Sequence, residues 1–287
     1  MTGNKSPDTQ TSEKAPNFVA FEPSSDLSLF VHRYMYGSYD ADGPVCIAVH
    51  PTGGIFLSYV AGDPLRIRIR GREEQTRSRL FIGGQLRNEH PVLSCDDEFR
   101  LLGLELRPVA FHRLFHRDAD AFTDCMTDFH DVFPTLGQQL EAALSPSDST
   151  EDLITKMEHF LRQLIPHAAQ APIVEGAIDE INRQQGIITA DELSEVTGYS
   201  ARQLQRYFVK TVGVPAKHYA KIVQINSVVS SLMENDSARL QELSAEYGYF
   251  DQAHFIHDFQ RFIQSNPTDF LRSESDFLRT YLGNVAR

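Results

Sequence analysis

The chain states one short pattern twice. Glu192-Leu193-Ser194 followed by Gly198-Tyr199 recurs as Glu242-Leu243-Ser244 followed by Gly248-Tyr249 at an offset of fifty residues, and Leu204 and Phe208 are answered by Phe255 and Phe259 at fifty-one. An internal repeat constrains a fold strongly, because both copies must fold alike. In each copy an apolar residue (Leu193, Leu243) leads to a Gly, which takes the left-handed backbone that ends a helix without strain. A residue able to accept from free helical amides, Ser200 or Asp251, then opens a second helix. Apolar pairs four apart, Leu204/Phe208 and Phe255/Phe259, turn one face of that helix back onto the first. This is a helix-turn-helix unit, and the small Ser194 and Ser244 suit the closest approach of its helices. A single copy reads equally well as an ordinary helical hairpin; two matched copies argue against that.

Between the copies, Pro215 to about Met233 reads as one helix. Pro215 fits its first turn, Tyr219, Ile222, Val223, Ile225, Val229 and Leu232 form its apolar stripe, and Asn235-Asp236-Ser237 ends it. Roughly 19 residues at about 1.5 Å each span about 28 Å. The two second helices are therefore expected about one duplex turn, roughly 34 Å, apart on one face of DNA.

Charge separates the two units. Val196 to Met233 contains no Asp or Glu but five cations, Arg202, Arg206, Lys210, Lys217 and Lys221, of which the first three form one helical stripe at a spacing of four. A charge stripe is often just a solvated face. In an acidic chain of net charge −12, however, a solvated face would be mixed in sign, and an all-positive stripe reads as a surface for phosphates. Around the second unit Glu246, Asp251 and Asp258 stand against Arg261. The first unit is thus expected to supply most of the affinity, and non-specific affinity to be weak.

The two units, the connecting helix and the closing segment Asn266-Pro267-Thr268-Asp269-Phe270-Leu271-Arg272 together resemble the DNA-binding domain of the AraC/XylS transcriptional regulators, over about 100 residues from Ile173 to Arg272. Gln224, Val228 and Gln264 stand where that family usually carries Arg, Ala and Gly. The resemblance implies base-edge contacts from Arg202, Gln205 and Arg206 in the first unit and from Gln252, His254 and His257 in the second. Arg is suited to two-point bonding with guanine and Gln with adenine. Gln203, Lys210 and Lys217 are read as phosphate contacts, and for His254 and His257 a surface role without DNA stands beside the DNA reading. Double-stranded promoter DNA is the implied partner, with RNA polymerase, a small-molecule effector and a second copy of the chain as further expectations. The family favours activation over repression.

The length favours two domains. Phe18 to about Arg107 is β in character: short apolar runs (Val45–His50, Ile55–Val60, Leu65–Arg70, Arg79–Ile82, Phe99–Leu106) are punctuated by Gly43, Gly53-Gly54, Gly62-Asp63-Pro64, Gly71 and Gly83-Gly84. The expected fold is α+β: a β-barrel or sandwich-like domain at 17–171 with following helices, then an all-α domain at 172–287. Within the latter, the units fall at about 189–212 and 239–262, joined by a helix at about 215–234. Alternation in Leu65–Arg70 gives a strand with one basic face, read as a guarded edge in preference to an anion site. Leu136–Leu144 and Asp152–Ile165 read as amphipathic helices packing under the sheets or pairing between chains, and Pro166–Pro172 as a linker. The N-terminal half also resembles, more faintly, β-rich sensor regions that precede this DNA-binding domain in other regulators.

Residues 1–16 are polar and expected to be a disordered tail, and no run of 18 apolar residues marks a membrane span. Cys46, Cys95 and Cys125, odd in number and widely spaced, are expected to be free thiols in a reducing cytoplasm. His112 and His116 lie four apart without a third ligand or an acidic base, and read as a helix face. No cofactor, metal or catalytic motif is expected. A second reading makes the N-terminal unit an enzyme or small-molecule carrier and the helical domain a protein-interaction module.

Overall fold

A computed structural model describes residues 16–39, 43–234, 240–272 and 280. The expected tail lies outside these up to residue 15, as does the Asn235-Asp236-Ser237 helix stop.

The N-terminal half builds ten strands among the described residues: β1 (Asn17–Phe21), β2 (Val31–Tyr39), β3 (Val45–Ala48), β4 (Ile55–Val60), β5 (Arg66–Ile69), β6 (Arg72–Gln75), β7 (Leu80–Gly83), β8 (Val92–Cys95), β9 (Phe99–Leu106) and β10 (Met126–Asp128). They form two antiparallel sheets, one in the order β1-β2-β9-β4-β7-β10 and the other β3-β8-β5-β6. Among the described residues no ladder joins the two sheets, so of barrel and sandwich the chain adopts an open, sandwich-like stack. In the six-stranded sheet β9 lies between β2 and β4, and its Leu102, Leu104 and Leu106 are wholly buried.

Alternation along β4 assigns the two faces of that sheet. Ile55, Leu57 and Tyr59 point to one side, onto α1 (Ala110–Phe115), α2 (Phe129–Val132), α3 (Pro134–Ala143) and α4 (Thr150–Leu164). Leu140 and Leu144 of the expected first amphipathic helix and Leu153, Met157, Phe160 and Leu161 of the second all enter this core, which places both helices under the sheet. Ser149 opens α4 by accepting from the Asp152 amide at 3.1 Å.

β5 corrects the guarded-edge expectation. It lies inside its sheet between β8 and β6. On its basic face Arg66 is paired to Asp96 at 2.5 Å and lies 3.8 Å from Glu73.

The C-terminal half is all helix: α5 (Pro172–Arg183), α6 (Ala190–Thr197), α7 (Ala201–Val212), α8 (Ala216–Glu234), α9 (Leu240–Glu246), α10 (Gln252–Ile263) and α11 (Pro267–Arg272). Two cores hold it. Leu193, Leu204 and Phe208 pack with Val174, Ile178 and Ile181 of α5, while Leu243, Phe255 and Phe259 pack with Phe262 and Phe270. Helix α8 serves both, giving Tyr219 to the first and Ile222, Ile225, Val229 and Leu232 to the second.

The second face of the six-stranded sheet is shared by the smaller sheet and these helices, for Met35 of β2 and Phe56 of β4 join the α8–α10 core. Polar contacts fix the joint. His218 bonds the Leu86 carbonyl at 3.1 Å, the Thr123 hydroxyl donates to the Gly213 carbonyl at 2.7 Å, and the Asn226 amide reaches the Pro51 and Thr52 carbonyls at 3.4 Å. His90 lies beside Arg261 and Phe262 at the end of α10. Gly53 has φ +97° and lies so near Tyr219 that a Cβ there would be 3.0 Å from the ring, so neither its conformation nor its space admits a side chain easily.

Candidate nucleic-acid interface

The first unit is set by reciprocal caps. Thr189 accepts from the Glu192 amide at 3.2 Å while the Glu192 carboxylate accepts from the Thr189 amide at 2.8 Å, which starts α6. Gly198 stops it at φ +74°, and Ser200 with Gln203 repeats the box to start α7. In the second unit Gly248 is left-handed at φ +70°, and the Asp251 carboxylate accepts from the His254 amide at 2.7 Å. Helix α10 ends on Gln264 at φ +58°, the conformation for which Gly is usual, and its side chain turns back to the Gln260 and Arg261 carbonyls.

With Leu204 and Phe208 buried, the phase of α7 is fixed, and Arg202, Gln203, Gln205, Arg206 and Lys210 all face solvent. Lys217 is exposed in the first turn of α8. The Gln203 carbonyl is occupied by the Ser200 backbone amide at 3.1 Å, which leaves its amide nitrogen for an outside acceptor. Arg202, Gln205, Arg206 and Lys210 line a cleft with Asp118 and Asp120, carried by the N-terminal half at a 3-10 turn (Ala119–Phe122) against α7. Lys210 Nζ is 3.7 Å from Asp118 Oδ1. Sequence reasoning missed these two carboxylates, since no local pattern brings residue 118 to residue 210.

On α10, Gln252, His254 and His257 are exposed. Asp258 lies beneath that face, its carboxylate 3.6 Å from His254 Nε2 and 3.8 Å from His257 Nδ1. It is 8% exposed and pairs with Lys221 of α8 at 2.8 Å, so two readings are corrected together. The aspartate expected to repel phosphate points inward, and Lys221, counted in the positive patch, is engaged by it. The signal was in the spacing: Asp258 follows Phe255 by three and precedes Phe259 by one, on the buried side of the helix.

His112 Nδ1 bonds the Arg117 carbonyl at 2.8 Å and His116 closes α1, and among the described residues no group of three potential ligands is placed to hold a metal. The thiols are unbridged, with Cys46 exposed, Cys95 buried and Cys125 half-buried. Among the described residues no helix is long and apolar enough to cross a membrane. Between the two sheets an apolar cavity is lined by Phe18, Met35, Phe56, Phe99, Leu101 and Met126, with Gly37, Gly83 and Gly103 opening its walls.

Residues 193–273 match the family model described as a helix-turn-helix domain, and residues 19–128 match a domain of unknown function, DUF6597. No match is found among curated proteins. Among solved structures the chain is similar to an apo variant of ToxT from Vibrio cholerae, with 11% identity, 83% of this chain and 97% of that chain covered, and a TM-score of 0.48. It is also similar to wild-type ToxT with an unsaturated fatty acid bound (10% identity, 83% and 94% covered, TM-score 0.47). A third likeness is to the C-terminal domain of AraT, a response regulator from Geobacillus stearothermophilus (22% identity, 36% and 90% covered, TM-score 0.33). By its tandem units joined through one long helix, the C-terminal part of the chain, residues 193–273, is a helix-turn-helix domain of the AraC type.

Proposed function

We propose that the chain reads promoter DNA with α7 in one major groove and α10 in the next, and that its β-rich half, residues 17–171, adjusts this to an effector. The observation that carries the reading is the exposed stripe Arg202, Gln205, Arg206 and Lys210 on a helix capped at both ends. Arg202, Gln205 and Arg206 have the donors for base edges, while Gln203, Lys210 and Lys217 are placed for phosphates. Gln252, His254 and His257 take the second groove, where the pairing of Asp258 with Lys221 offsets the carboxylate that lies beneath the two histidines.

The effector we assign to the apolar cavity is a small, largely apolar molecule. The cavity rests on the segments at 51–54 and 84–86, and these same segments carry α8 through Asn226 and His218. Occupancy there acts on DNA binding only to the extent that the effector favours one arrangement of the two halves. Family resemblance supports a cytoplasmic, non-enzymatic activator that touches RNA polymerase and pairs with a second copy.

Selection from a random duplex library with the full-length chain tests the reading, repeated with Arg202→Ala/Arg206→Ala at two salt concentrations. An enriched motif lost in the double variant supports it, and a second half-motif one turn away assigns α10 its groove. No enrichment at either salt, with and without a panel of apolar effectors, would overturn it.

A further inference from the structure

A second cavity, of opposite character, lies where α8 faces the β-rich half. Along α8 its wall is Asn226, Ser227 and Ser230; across from them are Glu105 and His32, and Tyr219 and Tyr247 also face it. The polar groups are not at the rim. Glu105, Asn226 and Ser230 are 2%, 3% and 7% exposed, and the Ser230 hydroxyl has no hydrogen-bond partner among the described residues. Leaving such a group unpaired costs roughly 1–3 kcal/mol, so a molecule that bonds it gains there.

The charges at the base cancel. Arg33 Nε meets Glu105 Oε2 at 2.7 Å with both side chains 2% exposed, and burial favours the neutral form of His32. Arg107, the cation on the lining, is exposed and donates through Nε to the Ser28 carbonyl at 2.6 Å, so a net charge on a ligand would find no buried counter-ion, and a purely apolar ligand would leave the Ser230 hydroxyl stranded. Hydroxyl and amide side chains both donate and accept, and they match a molecule that does the same on several sides.

We infer that this interdomain cavity binds a small, uncharged, hydroxyl-rich molecule that bonds Ser230 and Asn226 from one half and Glu105 from the other. Such a ligand spans the joint, whereas the apolar cavity lies between the sheets and shares with it only the wall at 52–54. This site does not depend on the DNA reading, and its test uses no DNA.

The test is isothermal titration of the full chain with glucose, xylose, mannitol and myo-inositol, and with gluconate and glucuronate as charged counterparts. At least one neutral compound should bind saturably at one site and at least tenfold more weakly to Ser230→Ala, whose melting temperature checks that it folds. Ser227→Phe, which fills the cavity from a half-buried position, should abolish binding. Binding by none of the neutral compounds, binding by the carboxylates alone, or unchanged binding in both variants would overturn the inference.

Discussion

Lys210 Nζ lies 3.7 Å from Asp118 Oδ1, so the first carboxylate met by the reading stripe of α7 belongs to its own chain. Both side chains are about half exposed, and the pair contributes at most about 1 kcal/mol to stability. Its effect on a phosphate partner is larger, because Asp120 shares the cleft. Asp118→Asn/Asp120→Asn should tighten duplex binding about three- to tenfold at low salt, and the gain should shrink at high salt. Fluorescence anisotropy at two ionic strengths measures this. Unchanged affinity at both would remove the cleft from the DNA path.

Arg206→Ala should weaken specific binding by about 1–3 kcal/mol and relax base preference at one position. Lys217→Ala should instead weaken all sequences alike and lower the salt slope by about one. Equal behaviour of the two variants in a competition assay would contradict the division between base and phosphate contacts.

Asp258→Ala leaves Lys221, 27% exposed, without its partner at 2.8 Å. A loss of about 1–2 kcal/mol in urea unfolding is expected. His257→Ala, at a side chain 76% exposed, should stay within about 0.5 kcal/mol in the same assay while altering DNA affinity. A reversal of that order would put Asp258 back on the reading face.

Gln264→Gly removes a side chain from a left-handed position at φ +58°. Relief of that strain exceeds the added freedom of the unfolded chain, and about 0.5 kcal/mol of stabilisation is expected. A lower urea midpoint than the parent would show that the bonds from Gln264 to the Gln260 and Arg261 carbonyls outweigh the strain.

Burial pushes the His50 imidazole down to about 4, and lowers those of His90 and His218. The unfolded chain, with histidines near 6.5, takes up protons first as pH falls. Stability is therefore intact above about pH 6.5 and is lost as pH drops toward 4, by about 2 kcal/mol between pH 7 and pH 5 for His50 alone. Urea midpoints at those two pH values should fall less in His50→Gln than in the parent. Parallel curves would discount His50.

The parts legible in the sequence are those whose causes are local. Ser200, Gly198, Leu204 and Phe208 lie within ten residues of one another, and their spacing alone dictates cap, turn and buried face. Strand β2 is less legible, because Arg33 sits among its buried residues and is acceptable there only through Glu105, 72 positions away. The interior place of β5 depends on β8 and β6, and the Asp118–Lys210 contact on the docking of the two halves. Charge patterning along the chain reports sign but not partner, so the pairing of Lys221 with Asp258, 37 positions away, is not legible in it.

Helix α8 runs unbroken from Ala216 to Glu234 and is packed into the cores of both units. It therefore fixes a phase as well as a length. Each base pair added between two half-motifs turns the second by about 34° and carries it about 3.4 Å further along the duplex. One or two added pairs rotate the second groove away from α10. A full turn restores the angle yet carries the groove beyond the helix's reach, so operators for this chain should tolerate changes of sequence between their half-motifs but not changes of length.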